Sequence, residues 1–306
     1  MACSGTRCLD PPKERSTPKE CRFGGKTRRN GNCELPAPDG LPAQCVGAWA
    51  EDKNYFLRTY IEATRSVRAR FIHPSGRGGA AFIDLFAGPG KKRLRESGKV
   101  VDGSPLVALQ HEASPFSRVI ACDIDPENVA ALRKRLLPFG GKAVVIEGDC
   151  NLQIDEAMKQ VPSYGLNFAL IDPFGLKALK FATIKRLASV KRMDLILHFP
   201  TGDIKRNLVQ DGKTAHWLDE ALGTETWRDR LQNTTDVKTL VDILREQLLS
   251  LGYSGQQVGA QPIKNNEGVT LYHLVYASKH ERGDKIWATI LKNQPTGQTS
   301  FSLTET

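Results

Sequence analysis

The chain has 306 residues, 40% of them hydrophobic, and a formal net charge of +9 at pH 7. This composition supplies the core of one large domain, and no apolar run approaches the roughly 20 residues that a membrane span needs. We therefore predict a soluble, cytoplasmic protein with no membrane partner, whose basic surface favours phosphate-bearing partners such as nucleic acid.

The first 47 residues are rich in proline, glycine and charged side chains. Such a segment buries too little apolar surface to offset the entropy of the chain, so we predict an irregular leader over residues 1–47. Five of the seven cysteines lie in this leader: Cys3, Cys8, Cys21, Cys33 and Cys45. They include no C-x2-C pair, and their spacing therefore predicts no metal site.

The remaining residues, 48–306, are predicted to form one domain in which strands and helices alternate. An amphipathic helix over Val46 to Arg70 comes first. The predicted strands span 80–86, 118–122, 143–147, 166–171 and 194–199, and an apolar, aromatic stretch spans 269–278. The predicted helices span 104–113, 126–136, 152–160, 181–190, 235–251 and 284–291. This alternation predicts an α/β, Rossmann-like fold with a mainly parallel sheet flanked by helices, and with a helical insertion around 203–235.

In such sheets ligands bind at the carboxyl ends of the strands, so the residues that follow each strand are the candidates for a site. After the first strand, Gly88 and Gly90 allow a tight turn that approaches a ligand closely, and Asp84 lies beside it. A nicotinamide site would favour G-x-G-x-x-G, but Arg93 stands at the third glycine position. An acid facing a cationic amino acid group suits S-adenosylmethionine (SAM) better, and the alternative is an ordinary turn.

The second and third strands also end in acidic residues. Asp123 is predicted to accept hydrogen bonds from both ribose hydroxyls of the cofactor, while Asp125 caps the following helix. Asp149 is predicted to bond the adenine amino group. For Asp149 a helix N-cap is the alternative.

The fourth strand is followed by Asp172, Pro173 and Phe174, which we predict to be catalytic. The lone pair of an exocyclic amine is delocalised into its base, and a carboxylate with a backbone carbonyl localises it by accepting the two hydrogens. An adjacent aromatic ring stacks on a base that has been removed from its helix. The alternative is that Phe174 belongs to the core and that Asp172 caps a turn.

Two further groups are candidates for the substrate side of the site. The group after the fifth strand consists of Asp203, Arg206 and Asn207. The basic run after the glycine turn consists of Lys91, Lys92 and Arg93, which could hold substrate phosphates. The alternatives are a helix N-cap at Asp203 and a solvated loop for the basic run. His198 lies within an apolar strand and is predicted to be a core histidine.

Seven segments together resemble the three-Cys-motif partner protein (TcmP) family over the chain from about Val46 onwards. They are WAEDK (49–53), IDLFAGPG (83–90), DGSPL (102–106), EGDCN (147–151), IDPFGL (171–176), DIKRN (203–207) and ASKHERGDKIW (277–287). DLFAGPG also resembles the SAM motif of DNA methyltransferases, and DPFG is similar to a signature of amine-methylating enzymes that include guanine-N2 tRNA methyltransferases. The resemblance implies a class I, SAM-dependent methyltransferase-like protein and a companion protein that bears a three-cysteine motif.

The sequence therefore predicts a SAM-dependent methyltransferase that acts on an exocyclic amine of a nucleobase in DNA or RNA. One alternative is a non-catalytic or weakly SAM-binding partner module for the companion protein. Another is methylation of a small molecule or a peptide.

Overall fold

The computed structural model describes residues 26–27, 33–47, 49–72, 78–95, 97–110, 115–208, 214–231, 236–254, 260–264 and 268–292. Residues 1–25 of the predicted leader, with Cys3, Cys8 and Cys21, therefore lie outside the described residues. Among the described helices, none combines the length and the apolar character needed to span a lipid bilayer.

The described residues form strands and helices that alternate along most of the chain. The strands are β1 (Lys26–Thr27), β2 (Cys33–Pro36), β3 (Pro42–Val46), β4 (Ala80–Asp84), β5 (Lys91–Leu94), β6 (Val100–Asp102), β7 (Arg118–Asp123), β8 (Ala143–Glu147), β9 (Leu166–Ile171), β10 (Met193–Phe199), β11 (Ala260–Lys264) and β12 (Thr270–Ala277). The helices are α1 (Trp49–Ala63), α2 (Arg65–Ile72), α3 (Ser104–Leu109), α4 (Pro126–Leu136), α5 (Cys150–Lys159), α6 (Phe181–Ala188), α7 (Thr201–Leu208), α8 (Thr214–Leu222), α9 (Trp227–Leu231), α10 (Val237–Ser250) and α11 (Glu281–Lys292).

A seven-stranded sheet with the order β8-β7-β4-β9-β10-β12-β11 forms the centre of the molecule. The pairs from β8 to β10 are parallel, and β12 runs antiparallel to both β10 and β11. The α/β class with a mainly parallel sheet, predicted from the alternation of strands and helices, is confirmed.

Helices cover both faces of this sheet, which explains why its central strands are almost continuously apolar. Along β9, Phe168 and Leu170 pack on the face that carries α1 and α11, whereas Ala169 and Ile171 pack on the face that carries α6 and α10. Side chains alternate between the faces of a strand, so each face has its own core. The loops at the ends of the parallel strands are left to form sites.

A second, five-stranded sheet has the order β1-β2-β3-β5-β6 and includes residues that were expected to be irregular. The prediction of an irregular leader is wrong for β1, β2 and β3. The physical reason is long-range pairing: β3 runs parallel to β5, with Gln44 opposite Lys92. A segment of low apolar content becomes a strand when a distant strand satisfies its backbone groups.

Arg135 links this second sheet to α4 and to the glycine turn after β4 through hydrogen bonds. Its guanidinium donates to both carboxylate oxygens of Asp39 at 2.9 Å, and to the carbonyls of Leu41 at 3.2 Å and Pro42 at 2.8 Å. It also donates to the carbonyl of Pro89, within the glycine turn, at 2.5 Å. One side chain from α4 thus ties the segment before β3 to the turn after β4.

Two local expectations differ from the structure. The expected helix from Val46 to Arg70 is two helices, α1 and α2, which meet at Thr64. The basic run Lys91–Arg93 is not a loop but most of strand β5. The region around 203–235 contains α8 and α9 and most of α7.

Candidate active site

The acidic residues singled out from the sequence lie at the carboxyl ends of the parallel strands of the seven-stranded sheet. We call this edge, with Asp84, Asp123, Asp149 and Asp172, the acidic edge. From β4 the chain passes to β7 and β8 on one side, and then returns to β9 and β10 on the other. The order of strands therefore reverses between β4 and β9, and open α/β sheets bind ligands at such a switch point. Asp84 ends β4, and Asp172 directly follows β9.

Asp84 is fully buried beside the glycine turn. The Ser104 hydroxyl donates to its Oδ2, and the Phe86 N–H donates to its Oδ1 at 3.0 Å. Burial raises the pKa of this carboxyl to about 6, while the two hydrogen bonds act in the opposite direction. A carboxylate that is poorly solvated in this way gains most from a cationic ligand group.

The glycine turn adopts backbone conformations that other residues avoid. Gly88 and Gly90 have φ values of +60° and +88°. A Cβ atom on Gly90 would stand 2.9 Å from Leu132 Cδ1, and the Gly90 carbonyl accepts the Gly103 N–H at 2.8 Å. Glycine is therefore needed at Gly90 both for its φ value and for the close packing of α4 against the turn.

Asp123, at the end of β7, is buried and accepts three hydrogen bonds. Its donors are the Gly88 N–H at 2.7 Å, the Asp125 N–H at 2.9 Å and the Asn128 Nδ2 group at 3.1 Å. Burial raises its pKa, and these hydrogen bonds oppose the shift. An ionised carboxylate has about four acceptor positions, so about one is left for a ligand hydroxyl. Asp125 caps α4, as predicted, by accepting the Glu127 N–H.

Asp149 lies at the neighbouring strand end and caps α5. Its Oδ1 accepts the backbone N–H of Asn151 at 2.9 Å and the side-chain amide of Asn151 at 2.8 Å. Ile124 is 66% exposed although it follows a buried strand, and the Gly148 N–H donates to the Asp123 carbonyl at 3.0 Å. This bond brings Ile124 close to Asp149. Sequence reasoning missed Ile124, for which the signal was an apolar residue between two aspartates beyond a strand end.

Asp172 contacts two basic groups through one carboxylate oxygen. Lys53 Nζ donates to its Oδ1 at 2.5 Å, and Nδ1 of His198 lies 2.6 Å from the same oxygen, in an orientation that does not form a well-aligned hydrogen bond. Lys53 also lies 4.4 Å from the centre of the Tyr272 ring. Both contacts involve Asp172 Oδ1, and neither involves Oδ2.

The charges around Asp172 fix its protonation state. Burial opposes its ionisation, but His198 and Lys53 hold its pKa well below the ordinary value. Burial lowers the pKa of His198 to about 4, so this imidazole is neutral at pH 7. Burial also lowers the pKa of Lys53, to about 8. The Lys53 ammonium is therefore the charge that keeps Asp172 ionised at neutral pH.

Neither Lys53 nor His198 was identified as a site residue from the sequence. Lys53 stood only within the segment WAEDK, and it lies 119 positions from Asp172. His198 is buried, as predicted, but it contacts Asp172 and does not serve packing alone. The sequence around Lys53 and His198 does not indicate their role, because both contact Asp172, which lies elsewhere in the chain.

The residues after Asp172 point in different directions. Pro173 is buried, whereas Phe174 is 56% exposed, which excludes the alternative that Phe174 belongs to the core. The carboxylate of Asp203 accepts the Leu176 N–H at 3.2 Å and so lies against the same loop. The side chains of Arg206 and Asn207 lie outside the described residues.

Strand β5 separates the three basic residues that were predicted to act together. Lys91 pairs with Asp102 at 3.0 Å, and Arg93 donates to the carbonyls of Gly98 and Pro36. Lys92 lies between them on the opposite face of the strand, and its charge lowers the pKa values of Asp84 and Asp172. The three side chains therefore do not share one face of the strand, and their proposed contact with substrate phosphates stays a prediction.

No protein-family model matches the sequence, and no curated protein matches it. The fold is similar to that of a Legionella pneumophila protein of the DUF519 family, at 12% identity and a TM-score of 0.44, over 80% of this chain and 94% of that one. It is also similar to Trm1 from Pyrococcus horikoshii, solved with SAM, at 12% identity and a TM-score of 0.40, over 83% of this chain and 62% of that one.

A third similar structure is an O-methyltransferase from Bacillus cereus, solved with SAH, at 11% identity and a TM-score of 0.43, over 75% of this chain and 81% of that one. Numbered along the chain, the seven strands of the central sheet have the order 3-2-1-4-5-7-6. Its first five positions have the order 3-2-1-4-5 of a doubly wound, Rossmann-like sheet. At identities of 11 and 12%, the similarity concerns the fold alone.

Proposed function

We propose that this protein is a SAM-dependent methyltransferase that acts on an exocyclic amine of a nucleobase in DNA or RNA. The observation that carries the proposal is the placement of Asp172. An ionised carboxylate whose Oδ1 contacts Lys53 stands two residues before the exposed ring of Phe174, at the switch point of the sheet. The buried carboxylate of Asp84 ends the adjacent strand.

The carboxylates of the acidic edge are hydrogen-bond acceptors, which suit the ammonium and hydroxyl groups of SAM. Asp84 would hold the ammonium group of the methionine moiety beside the turn at Gly88 and Gly90. Asp123 would accept a ribose hydroxyl, and Ile124 with the Asp149 side chain would receive the adenine. When bound, SAM supplies an electrophilic methyl group on a sulfonium.

The remaining residues would position the amine that receives the methyl group. Since Asp172 Oδ1 faces Lys53 and His198, Oδ2 is the oxygen that would accept a hydrogen of the amine. The Pro173 carbonyl would accept the second hydrogen, and Phe174 would stack on the base. Accepting both hydrogens localises the nitrogen lone pair, and Asp172 Oδ2 then takes the proton that the amine releases. Catalysis would arise mainly from positioning.

Calorimetric titration of the full chain with SAM tests the cofactor, and transfer of label from SAM to separate DNA, tRNA and protein pools tests the substrate. We expect wild-type protein to bind SAM and to label a nucleic-acid pool. Asp172→Asn should retain SAM binding and lose transfer, because the amide no longer accepts the proton. Absence of SAM binding, or labelling of the protein pool alone, would refute the proposal.

Phe174→Ala should lower kcat/KM by roughly tenfold, since stacking of one base contributes about 1–3 kcal/mol. Phe174→Tyr should retain activity because it keeps the ring. Leu137→Ala removes another exposed apolar side chain from a distant turn and is the control. Equal losses in Phe174→Ala and Leu137→Ala would contradict a stacking role.

The second candidate function is a partner module for a companion protein with a three-cysteine motif, as the resemblance to the TcmP family implies. One observation favours it: Gly88 and Gly90 are buried, and Gln44 Oε1 of β3 approaches the Cβ position of Gly88 to 3.4 Å. Strand β3 thus covers the turn that would hold the cofactor. Isolation of a stable complex with the companion, without SAM binding by either the complex or the free chain, would support this candidate.

A further inference from the structure

A cleft lies at the amino-terminal ends of the parallel strands, opposite the acidic edge. It has a volume of about 810 Å³ and is formed by α2, the starts of β9 and β10, the segment after β12, and the first turn of α11. Its size falls within the range of about 300–1,000 Å³ that is typical of ligand sites. Neither the acidic edge nor the proposed methyl transfer uses any residue of this cleft.

The cleft is strongly basic. Five cationic side chains line it: Arg70, Lys191, Arg192, Lys279 and Arg282. Among its described lining residues the one carboxylate is Asp194, whose Oδ2 accepts the Tyr60 hydroxyl at 2.5 Å and the Tyr276 hydroxyl at 3.1 Å. A cleft lined by one sign of charge concentrates its field and attracts ligands of the opposite sign.

Most of these cations have no carboxylate partner among the described residues. Arg70, Lys191 and Arg282 form no ion pair with any residue in the part of the chain that the structure describes. Arg192 lies 5.5 Å from the Phe71 ring and donates to a backbone carbonyl, so its charge also lacks a carboxylate partner. The positive charges therefore remain available to an anion.

We propose that this cleft is a phosphate-binding site, which takes either the backbone of a nucleic acid or the phosphates of a free nucleotide. Arginine and lysine side chains that converge from three elements suit phosphate oxygens, which accept several charge-assisted hydrogen bonds. Asp194 repels phosphate from the floor of the cleft, so the phosphates bind at the cationic rim.

The cleft is distinct from the acidic edge. Leu166 lines the cleft at the start of β9, and Asp172 follows the other end of the same strand. Six residue steps of about 3.3 Å place the two sites roughly 20 Å apart. A small ligand in the cleft therefore does not reach Asp172, and phosphate binding there does not depend on the proposed methyl transfer.

An exposed aromatic ring stands beside the cleft. Tyr164 is 76% exposed, two residues before Leu166, and its carbonyl accepts a hydrogen bond from Arg192. Cationic grooves with aromatic side chains are typical of surfaces that bind single-stranded nucleic acid. Tyr164 therefore separates ligands that carry a base from inorganic phosphates, because a base stacks on its ring and pyrophosphate does not.

Binding to the full chain tests the proposal with two probes: a labelled single-stranded oligonucleotide, followed by fluorescence anisotropy at several salt concentrations, and inorganic pyrophosphate, followed by calorimetry. The variant Arg70→Ala/Lys191→Ala removes two exposed cations from the rim. The variant Lys134→Ala/Lys159→Ala removes the same charge from exposed positions on α4 and α5 and is the matched control.

We expect the rim variant, but not the control, to bind at least one probe more weakly. For the oligonucleotide, the slope of log K against log salt should fall by about 0.7 for each phosphate contact removed. If the source is a polynucleotide, Tyr164→Ala should weaken oligonucleotide binding roughly tenfold and leave pyrophosphate unchanged. Loss of pyrophosphate binding alone identifies a free nucleotide or phosphate as the source. Equal behaviour of the rim variant and the control with both probes overturns the proposal.

Discussion

At the scale of single residues, the pair formed by Lys53 and Asp172 combines close contact with incomplete burial. Their side chains are 9% and 20% exposed and meet at 2.5 Å. Lys53→Met would leave the Asp172 charge poorly compensated. Breaking a fully buried pair costs about 3–5 kcal/mol, and with this partial exposure we expect a loss of roughly 2 kcal/mol in the free energy of unfolding.

Urea unfolding of a double-mutant cycle measures this effect. The variant Lys53→Met/Asp172→Asn should be more stable than Lys53→Met, because it carries no uncompensated charge. If the two substitutions destabilise the protein additively, the pair does not interact in the way that the distances indicate.

Asp84 is predicted to oppose folding at neutral pH. Its pKa is raised from 3.8 to about 6 by burial, so between these values the folded state binds a proton that the unfolded state has lost. The stability that Asp84 contributes is therefore greatest below pH 3.8, falls as the pH rises from there to about 6, and stays low above that pH. The ionised group costs up to about 3 kcal/mol at pH 7.

We expect Asp84→Asn to gain stability relative to wild type as the pH is raised from 5 to 7, in urea unfolding at a series of pH values. The control is Asp229→Asn, at an exposed position on α9, whose difference from wild type should not follow this curve. A relative stability of Asp84→Asn that falls over the same range would show that Asp84 is not destabilised by its burial.

The sequence predicted the position of a site residue where that residue directly follows a recognisable strand. Asp84 and Asp172 could be placed together because all parallel strands of one sheet have their carboxyl ends at the same edge. Lys53 could not be placed there, since it lies on α1. This helix precedes the alternating strands and helices in the sequence, and nothing local indicates that it packs beside Asp172. The sequence also did not predict that Lys92 lies on the opposite face from Lys91 and Arg93. Side chains alternate in this way only in a strand, and β5 was not predicted to be one.

At the scale of elements, the second sheet is held to the domain by Arg135. Arg135→Ala would remove the hydrogen bonds to Asp39, Leu41, Pro42 and Pro89, whereas Asp39→Ala would remove only those to Asp39. Because each charge-assisted hydrogen bond contributes about 1.5–3 kcal/mol, Arg135→Ala should destabilise the protein by about 3 kcal/mol and Asp39→Ala by less.

Hydrogen exchange of the amides in β3 and β5 measures this effect locally. We expect Arg135→Ala to speed exchange in both strands and in the glycine turn, while the strands from β9 to β12 remain protected. Arg133→Ala, which removes an exposed guanidinium from the same helix, is the control. Uniform loss of protection in all strands would contradict a local role.

The central elements were predictable because each carries its own apolar run, and a strand buried on both faces needs no particular partner to be recognised. The strands of the second sheet carry no such pattern. Strand β5 reads KKRL, and its conformation depends on pairing with Gln44 and neighbouring residues of β3. The expectation of an irregular leader failed for that reason.

At the scale of the whole molecule, the acidic edge and the basic cleft lie at opposite ends of the parallel strands of one sheet. If both proposals hold, a nucleic acid long enough to span roughly 20 Å would contact both sites, whereas a very short oligonucleotide would contact one. Arg70→Ala/Lys191→Ala should therefore raise KM for long substrates and leave both kcat and the KM for short ones unchanged.

Methyl-transfer rates with a length series of the same sequence measure this effect. The control remains Lys134→Ala/Lys159→Ala. An identical rise in KM at every length would indicate a general effect of net charge, since such a loss does not depend on how far the substrate extends.

The hydrogen bond from the Gly88 N–H to Asp123 changes how mutations at this edge must be interpreted. Because the carboxylate of Asp123 fixes the backbone of the glycine bend, Asp123→Ala would disturb the proposed site for the methionine end of SAM as well as the proposed contact with its ribose. A weakened affinity in that variant therefore reports two losses at once. Changing the small molecule instead, with a cofactor analogue that lacks one ribose hydroxyl, isolates the sugar contact while the bend keeps its shape.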